Sequence, residues 1–156
     1  MDGSKPPSHA TGPAATSGAD LRGASAVAHW FEDLCAGYAA DVRWSAPRRG
    51  LELVGRDRVV AQLARELACM DAPEVCVLRP CCDGDARAFH EYTVRFRLLA
   101  PGIERVPLPA GAEVELERLR VLTRDARGQV ATETCIETWT WLAGTGVAAG
   151  DRRDAG

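Results

Sequence analysis

The chain has 156 residues, 46% of them hydrophobic and 26% charged, with 19 Lys plus Arg against 22 Asp plus Glu and a formal net charge of −3. This fits one globular domain and excludes collagen, coiled coil and wholesale disorder as descriptions of the whole chain. The charge offers nucleic acid no attraction, and no apolar run reaches the roughly 20 residues of a membrane span, so neither is expected as a partner.

Residues 1–23 hold 16 Gly, Pro, Ala, Ser or Thr and one large apolar side chain, Leu21. Such a segment cannot bury enough surface to offset chain entropy and is expected to be a disordered tail. No apolar stretch follows Lys5, so no secretory leader is expected and the expected location is cytoplasmic. Residues 25–36 read as a helix, because Val27, Trp30, Phe31, Leu34 and Tyr38 recur at helical spacing. Ser25 can cap its start and Gly37 can close its end. Short strands are expected at 41–45 and 51–54, with Arg48-Arg49-Gly50 as a solvated turn and Asp41 as a turn or cap residue. Residues 56–70 form a second helix with Val59, Val60, Leu63, Ala64, Leu67 and Met70 on its apolar face. Asp57 suits its first turn, and Asp71-Ala72-Pro73 is expected to end it.

Strands follow at 74–81, 86–99, 113–123 and 130–142, with turns at 83–85 and 125–128 and a Pro- and Gly-rich loop over 100–112. Residues 143–156 repeat the tail composition, which leaves 24–142 as the folded domain. The fold class expected is α+β: helices on one face of a curved sheet whose last four strands form an antiparallel meander. The six cysteines (Cys35, Cys69, Cys76, Cys81, Cys82, Cys135) form no CxxC pair. They read as reduced thiols, and with His9, His29 and His90 scattered no metal site is expected.

The order of cues resembles the nuclear transport factor 2-like superfamily, in particular its SnoaL-like, polyketide cyclase-like branch. The segments that carry the resemblance are YAADVRWSAP (38–47), GLELVGRDRVVAQLAREL (50–67), GIERVPLPAGAEVEL (102–116) and DARGQVATETCIETW (125–139). It implies a cone-shaped α+β barrel, a bent antiparallel sheet wrapping the N-terminal helices around an apolar pocket, and homodimers formed through the outer sheet face. It does not choose a chemistry, since such folds serve isomerases, dehydratases, hydrolases, cyclases and non-enzymatic modules. Ala46 stands where the isomerase pattern carries a carboxylate before Pro47, and Thr138 stands where many SnoaL-like sequences place an Asp.

Strand parity supplies the site candidates. On 130–142, Glu133, Cys135, Glu137, Trp139 and Trp141 share one face. They form either a pocket wall, where burial would raise a Glu towards neutral pKa, or an outer face with the tryptophans at a dimer interface. On 86–99, His90, Tyr92, Val94, Phe96 and Leu98 share the apolar face, with His90 a possible base and Tyr92 a possible donor, or both simply core. On 113–123 each face changes character midway, which suggests a bend or bulge, and Arg118 or Arg120 can meet Glu133 or Glu137 across the hairpin. Trp30 belongs to the first helix's apolar stripe; His29 falls off it.

Two functions follow. The first is a cofactor-independent cyclase, isomerase, dehydratase or hydrolase acting on a small apolar or aromatic substrate. His90, Tyr92, Glu133 and Glu137 would be catalytic, and Trp30, Trp44, Phe96, Arg118, Arg120 and Trp139 would bind substrate. The second is a non-catalytic ligand-binding or assembly module, paired through the Trp139 and Trp141 face.

Overall fold

The computed structural model describes residues 20–77, 82–83, 86–99, 103, 105–106 and 108–142. In chain order the elements are β1 (Asp20–Leu21), α1 (Ala24–Ala36), β2 (Tyr38–Ala46), a 3-10 turn (Pro47–Arg49), β3 (Leu51–Val54), α2 (Arg56–Ala68), β4 (Met70–Val77), β5 (Cys82–Asp83), β6 (Arg87–Leu98), β7 (Glu113–Arg124) and β8 (Val130–Leu142). Seven strands run β1-β4-β6-β7-β8-β2-β3 in a curved sheet that does not close on itself, and β5 pairs with β6 off that path. The α+β class and the β4-β6-β7-β8 meander are as expected. One neighbour pair differs, since β2 runs parallel to β8. There α2 and the meander intervene between the two strands, so no hairpin constrains their direction.

Several boundaries move for local reasons. Asp20 and Leu21, placed with the tail from composition, pair with Cys76 and Val75. Strand β2 begins at Tyr38 directly after Gly37, so Asp41 lies exposed within a strand and is not a cap. Ser25 is inside α1, whose N-cap is Gly23, with no side-chain cap bond. Helix α2 ends at Ala68, and 71–73 continue into β4. There the ladder slips between Asp71 and Glu74, with Ala72 at φ +46°, and Pro73 occupies the irregularity, where no ladder donor is needed.

Two apolar clusters fill the interior. One contains Tyr38, Val42, Trp44, Leu63 and Leu122; the other contains Val27, Tyr92, Phe96, Val114 and Leu116. The inner row of β7 contributes to both. Val114, Leu116, Arg118, Arg120 and Leu122 are all buried, so of the two alternatives expected there, a bend or a bulge, no bulge switches its faces. Two arginines simply stand in the middle of a core row. On β8 the ladder with β7 slips between Thr123 and Arg124. This puts Val130 inside and then turns Glu133, Cys135 and Glu137 inside as well.

Among the described residues no helix is long and apolar enough to cross a membrane. Nor does any group of three or more His, Cys, Asp or Glu form a metal-binding arrangement among them. Cys35, Cys69, Cys76 and Cys135 are free thiols. Cys81 lies outside the described residues, as do 84–85 of the expected turn.

Candidate functional site

Four charged side chains from four elements meet in the interior. Arg49 hangs from the 3-10 turn, Glu66 from α2, Arg118 from β7 and Glu137 from β8, each no more than 6% exposed. Arg49 donates to Glu66 Oε1 at 2.6 Å and to Glu137 Oε1 at 3.1 Å. Arg118 Nη2 reaches Glu66 Oε2 at 3.2 Å and Glu137 Oε1 at 2.6 Å. The four form a closed, charge-neutral ring in which each carboxylate serves both guanidiniums. Gln62 donates to Glu66 Oε1 at 3.1 Å, and Trp139 Nε1 to Glu137 Oε2 at 3.2 Å. The Arg49 guanidinium lies 5.9 Å from both the Trp44 and the Trp139 ring centres, within cation–π range.

A second group lies further along the same two strands. Arg120 grips Glu133 with two bonds, 2.9 and 2.7 Å. Tyr38 donates to Glu133 Oε2 at 2.7 Å, and Cys135 to Glu133 Oε1 at 3.0 Å. Burial alone would push the Glu133 carboxyl up. The Arg120 charge, with the hydrogen bonds from Arg120, Cys135 and Tyr38, overcomes that and holds it down at about 2. The expected rise towards neutrality is therefore corrected: Glu133 does not keep a proton to give at neutral pH. Glu66 is likewise held below the usual carboxylate range, because Arg118 and Arg49 outweigh its desolvation.

An apolar cleft opens between the helices and the sheet and ends on these charges. Val27, Trp30, Phe31 and Leu34 of α1 cover it, α2 adds Leu63 and Leu67, and the sheet supplies Val94 and Leu116. Its polar end is Glu66, Tyr92, Arg118 and Glu133. The free space is about 40 Å³, room for a few waters. Trp30 packs edge-on against Tyr92 with ring centres 5.0 Å apart. Tyr92 accepts from Arg118 Nη1 at 3.0 Å, and among the described residues its own hydroxyl hydrogen is given to none. Burial raises the Tyr92 pKa to about 12, with the nearby arginines pulling the other way, so it stays a neutral hydroxyl donor. Arg118 Nε and Trp44 Nε1 are also buried donors without a hydrogen-bond partner among the described residues. Arg49 Nε stands 2.8 Å from Glu137 Oε2 but lacks hydrogen-bond alignment.

Of the residues singled out from sequence, Trp30, Tyr92, Arg118 and Glu133 line the cleft. Glu137 and Trp139 belong to the ring behind it, and Arg120 to the clamp on Glu133. Trp44 is buried over Arg49. Phe96 packs edge-on against Trp139, ring centres 6.4 Å apart, and this turns Trp139 inward, away from the outer interface envisaged for it; Trp141 is 59% exposed. His90 is half-buried and does not line the cleft. His29 is exposed, 3.7 Å from Asp33. Arg118 or Arg120 was expected to meet Glu133 or Glu137, and the structure pairs Arg118 with Glu137 and Arg120 with Glu133.

Four participants were not anticipated. Arg49, expected in solvent, is 4% exposed, and its exposed neighbour Arg48 donates to the Glu137 carbonyl at 3.0 Å. Glu66 and Gln62 fall seven and three residues after Val59, on the buried stripe of α2. A carboxylate on an apolar stripe was the available signal.

A family profile described as the SnoaL-like domain matches residues 23–133. No curated protein matches the chain. Among solved structures, a putative SnoaL-like polyketide cyclase from Jannaschia sp. superposes with a TM-score of 0.57 at 16% identity, covering 69% of this chain and 72% of that one. An NTF2-like protein of unknown function from Exiguobacterium sp. gives 0.52 at 12% identity over 71% and 85%. A putative ketosteroid isomerase from Kribbella flavida gives 0.50 at 18% identity over 82% and 81%. At these identities the likeness concerns the fold alone.

Proposed function

The chain belongs to the SnoaL-like domain family, and from that premise we propose that it is a small-molecule pocket protein for an apolar, ring-sized ligand carrying an oxygen acceptor. The observation that carries this is the aromatic and aliphatic cleft whose polar end includes Tyr92 and Arg118. The Tyr92 hydroxyl accepts a hydrogen bond from Arg118, and among the described residues its own hydrogen is given to none. A ligand oxygen placed there receives a bond polarised by the guanidinium behind it. The ring-shaped part of the ligand lies against Trp30, Phe31 and Leu34. Because the free space is small, these α1 side chains give way as the ligand enters.

Binding is favoured over acid–base turnover by the state of the carboxylates. Glu66 and Glu133 both face the cleft, and both are ion-paired and held ionised, which makes them weak bases and no acids. A cyclase- or isomerase-like role keeps only Tyr92, as the group that polarises a carbonyl. The test is a pair of ligands that differ only in the oxygen, fluorenone and fluorene, titrated by intrinsic fluorescence. The wild type is expected to prefer the ketone about fivefold, the worth of one net hydrogen bond, and Tyr92→Phe to lose that preference. A preference that survives Tyr92→Phe would remove Tyr92 from the site.

A further inference from the structure

We propose that Arg105 is a positioning residue for the ligand-facing Arg118, acting through the 3-10 turn and Arg49; the link to ligand rests on the pocket function above. Arg105 comes from the loop between β6 and β7, more than 50 residues from the turn it holds. Its Nη1 donates to the carbonyls of Arg49 and Gly50, at 2.9 and 2.7 Å. Those carbonyls belong to the backbone from which the Arg49 side chain departs into the ring. Two backbone features serve this contact. Arg105 itself sits at φ +60°, a conformation uncommon for a residue with a side chain. Gly50, at φ +62°, has no Cβ where one would come within 2.8 Å of Arg105 Nη1. The loop is anchored beside Arg105, because Ile103 and Ala112 are buried in the second apolar cluster with Val106 and Leu108 packed on it.

The consequence runs through shared carboxylates. Arg49 and Arg118 both bind Glu66 and both bind Glu137. If the turn is free to shift, Arg49 leaves, and Glu66 and Glu137 lose the partner that fixes their position against Arg118. The clamp of Arg120 on Glu133 shares none of these four groups, so it is an internal control.

The experiment follows hydrogen exchange of arginine Nε–H groups by nitrogen-15 NMR in the full chain, without ligand, for wild type, Arg105→Ala and Arg105→Lys. Arg105→Ala is expected to speed exchange at Arg49 and Arg118 about 25-fold, the loss of roughly two net hydrogen bonds, and to leave Arg120 unchanged. Arg105→Lys, whose ammonium can reach the same carbonyls, is expected to restore part of the protection. Equal acceleration at all three arginines, acceleration at Arg49 alone, or none at any overturns the proposal. The fluorenone and fluorene titration is then repeated on Arg105→Ala, where only the ketone is expected to weaken. If the wild type binds neither compound, the pocket function fails while the exchange result still decides the role of Arg105.

Discussion

The ring and the clamp use the same two residue types on the same two strands, yet they share charge differently. In the ring, two carboxylates, from α2 and β8, each serve two guanidiniums, from the 3-10 turn and β7. In the clamp, one carboxylate serves one guanidinium, with Tyr38 and Cys135 completing its shell. A buried guanidinium stripped of its only counter-charge is costly, whereas one that keeps a second carboxylate is not stripped at all. The ring is therefore redundant, whereas the clamp has no second carboxylate in reserve among the described residues.

Removing one carboxylate charge from each tests that difference most strongly. Glu133→Gln leaves Arg120 buried with no other carboxylate paired to it among the described residues, and should cost about 3–5 kcal/mol in urea unfolding. Glu137→Gln leaves Glu66 touching both Arg49 and Arg118, and should cost about 2–3 kcal/mol, near the worth of hydrogen bonds to a charged group. Equal losses, or a larger loss for Glu137→Gln, would mean that Glu66 does not act as the reserve.

Acid should attack the clamp in a defined window. Glu133 is depressed from 4.5 to about 2, so the stability it contributes is complete above the unfolded value and is lost as pH falls through the folded one. The urea midpoint is expected to hold above about pH 5 and to decline from about 4.5 to 2, with Glu133 alone supplying about 3 kcal/mol of that decline. Glu66, also depressed, adds in the same direction. Glu133→Gln should show a shallower decline than the wild type; an unchanged slope would mean that Glu133 is not held ionised by Arg120.

The same contrast explains what the sequence made legible. That Arg118 or Arg120 meets Glu133 or Glu137 could be read in advance, because β7 and β8 are joined by the short 125–129 turn; which arginine takes which carboxylate could not. Arg49 and Glu66 could not be joined to them, because no local rule says that a turn between β2 and β3 and the stripe of α2 reach the same point. The face of β8 that turns inward was open for a related reason: the slip between Thr123 and Arg124 resets parity, and a slip leaves no periodic mark. Tyr38 read as the last member of the α1 stripe. Its role in the clamp comes from β2 lying parallel to β8, a long-range pairing that hairpin spacing cannot announce.

Tyr38 therefore provides the finest test of the clamp. Its hydroxyl donates to Glu133 Oε2 at 2.7 Å across 95 residues, while Arg120 and Cys135 keep the rest of the carboxylate satisfied. Tyr38→Phe removes one of the four bonds to that carboxylate and no charge, so it should cost about 1.5 kcal/mol, no more than half the loss from Glu133→Gln. It should also let the Glu133 carboxyl titrate higher, since the Tyr38 hydrogen bond is among the interactions holding it down. Carboxyl carbon NMR through the acid range reads that shift directly. A stability loss as large as that of Glu133→Gln would mean that Tyr38 supports the clamp by ring packing more than by its hydroxyl, and an unmoved Glu133 titration would place the control of that charge in Arg120 alone.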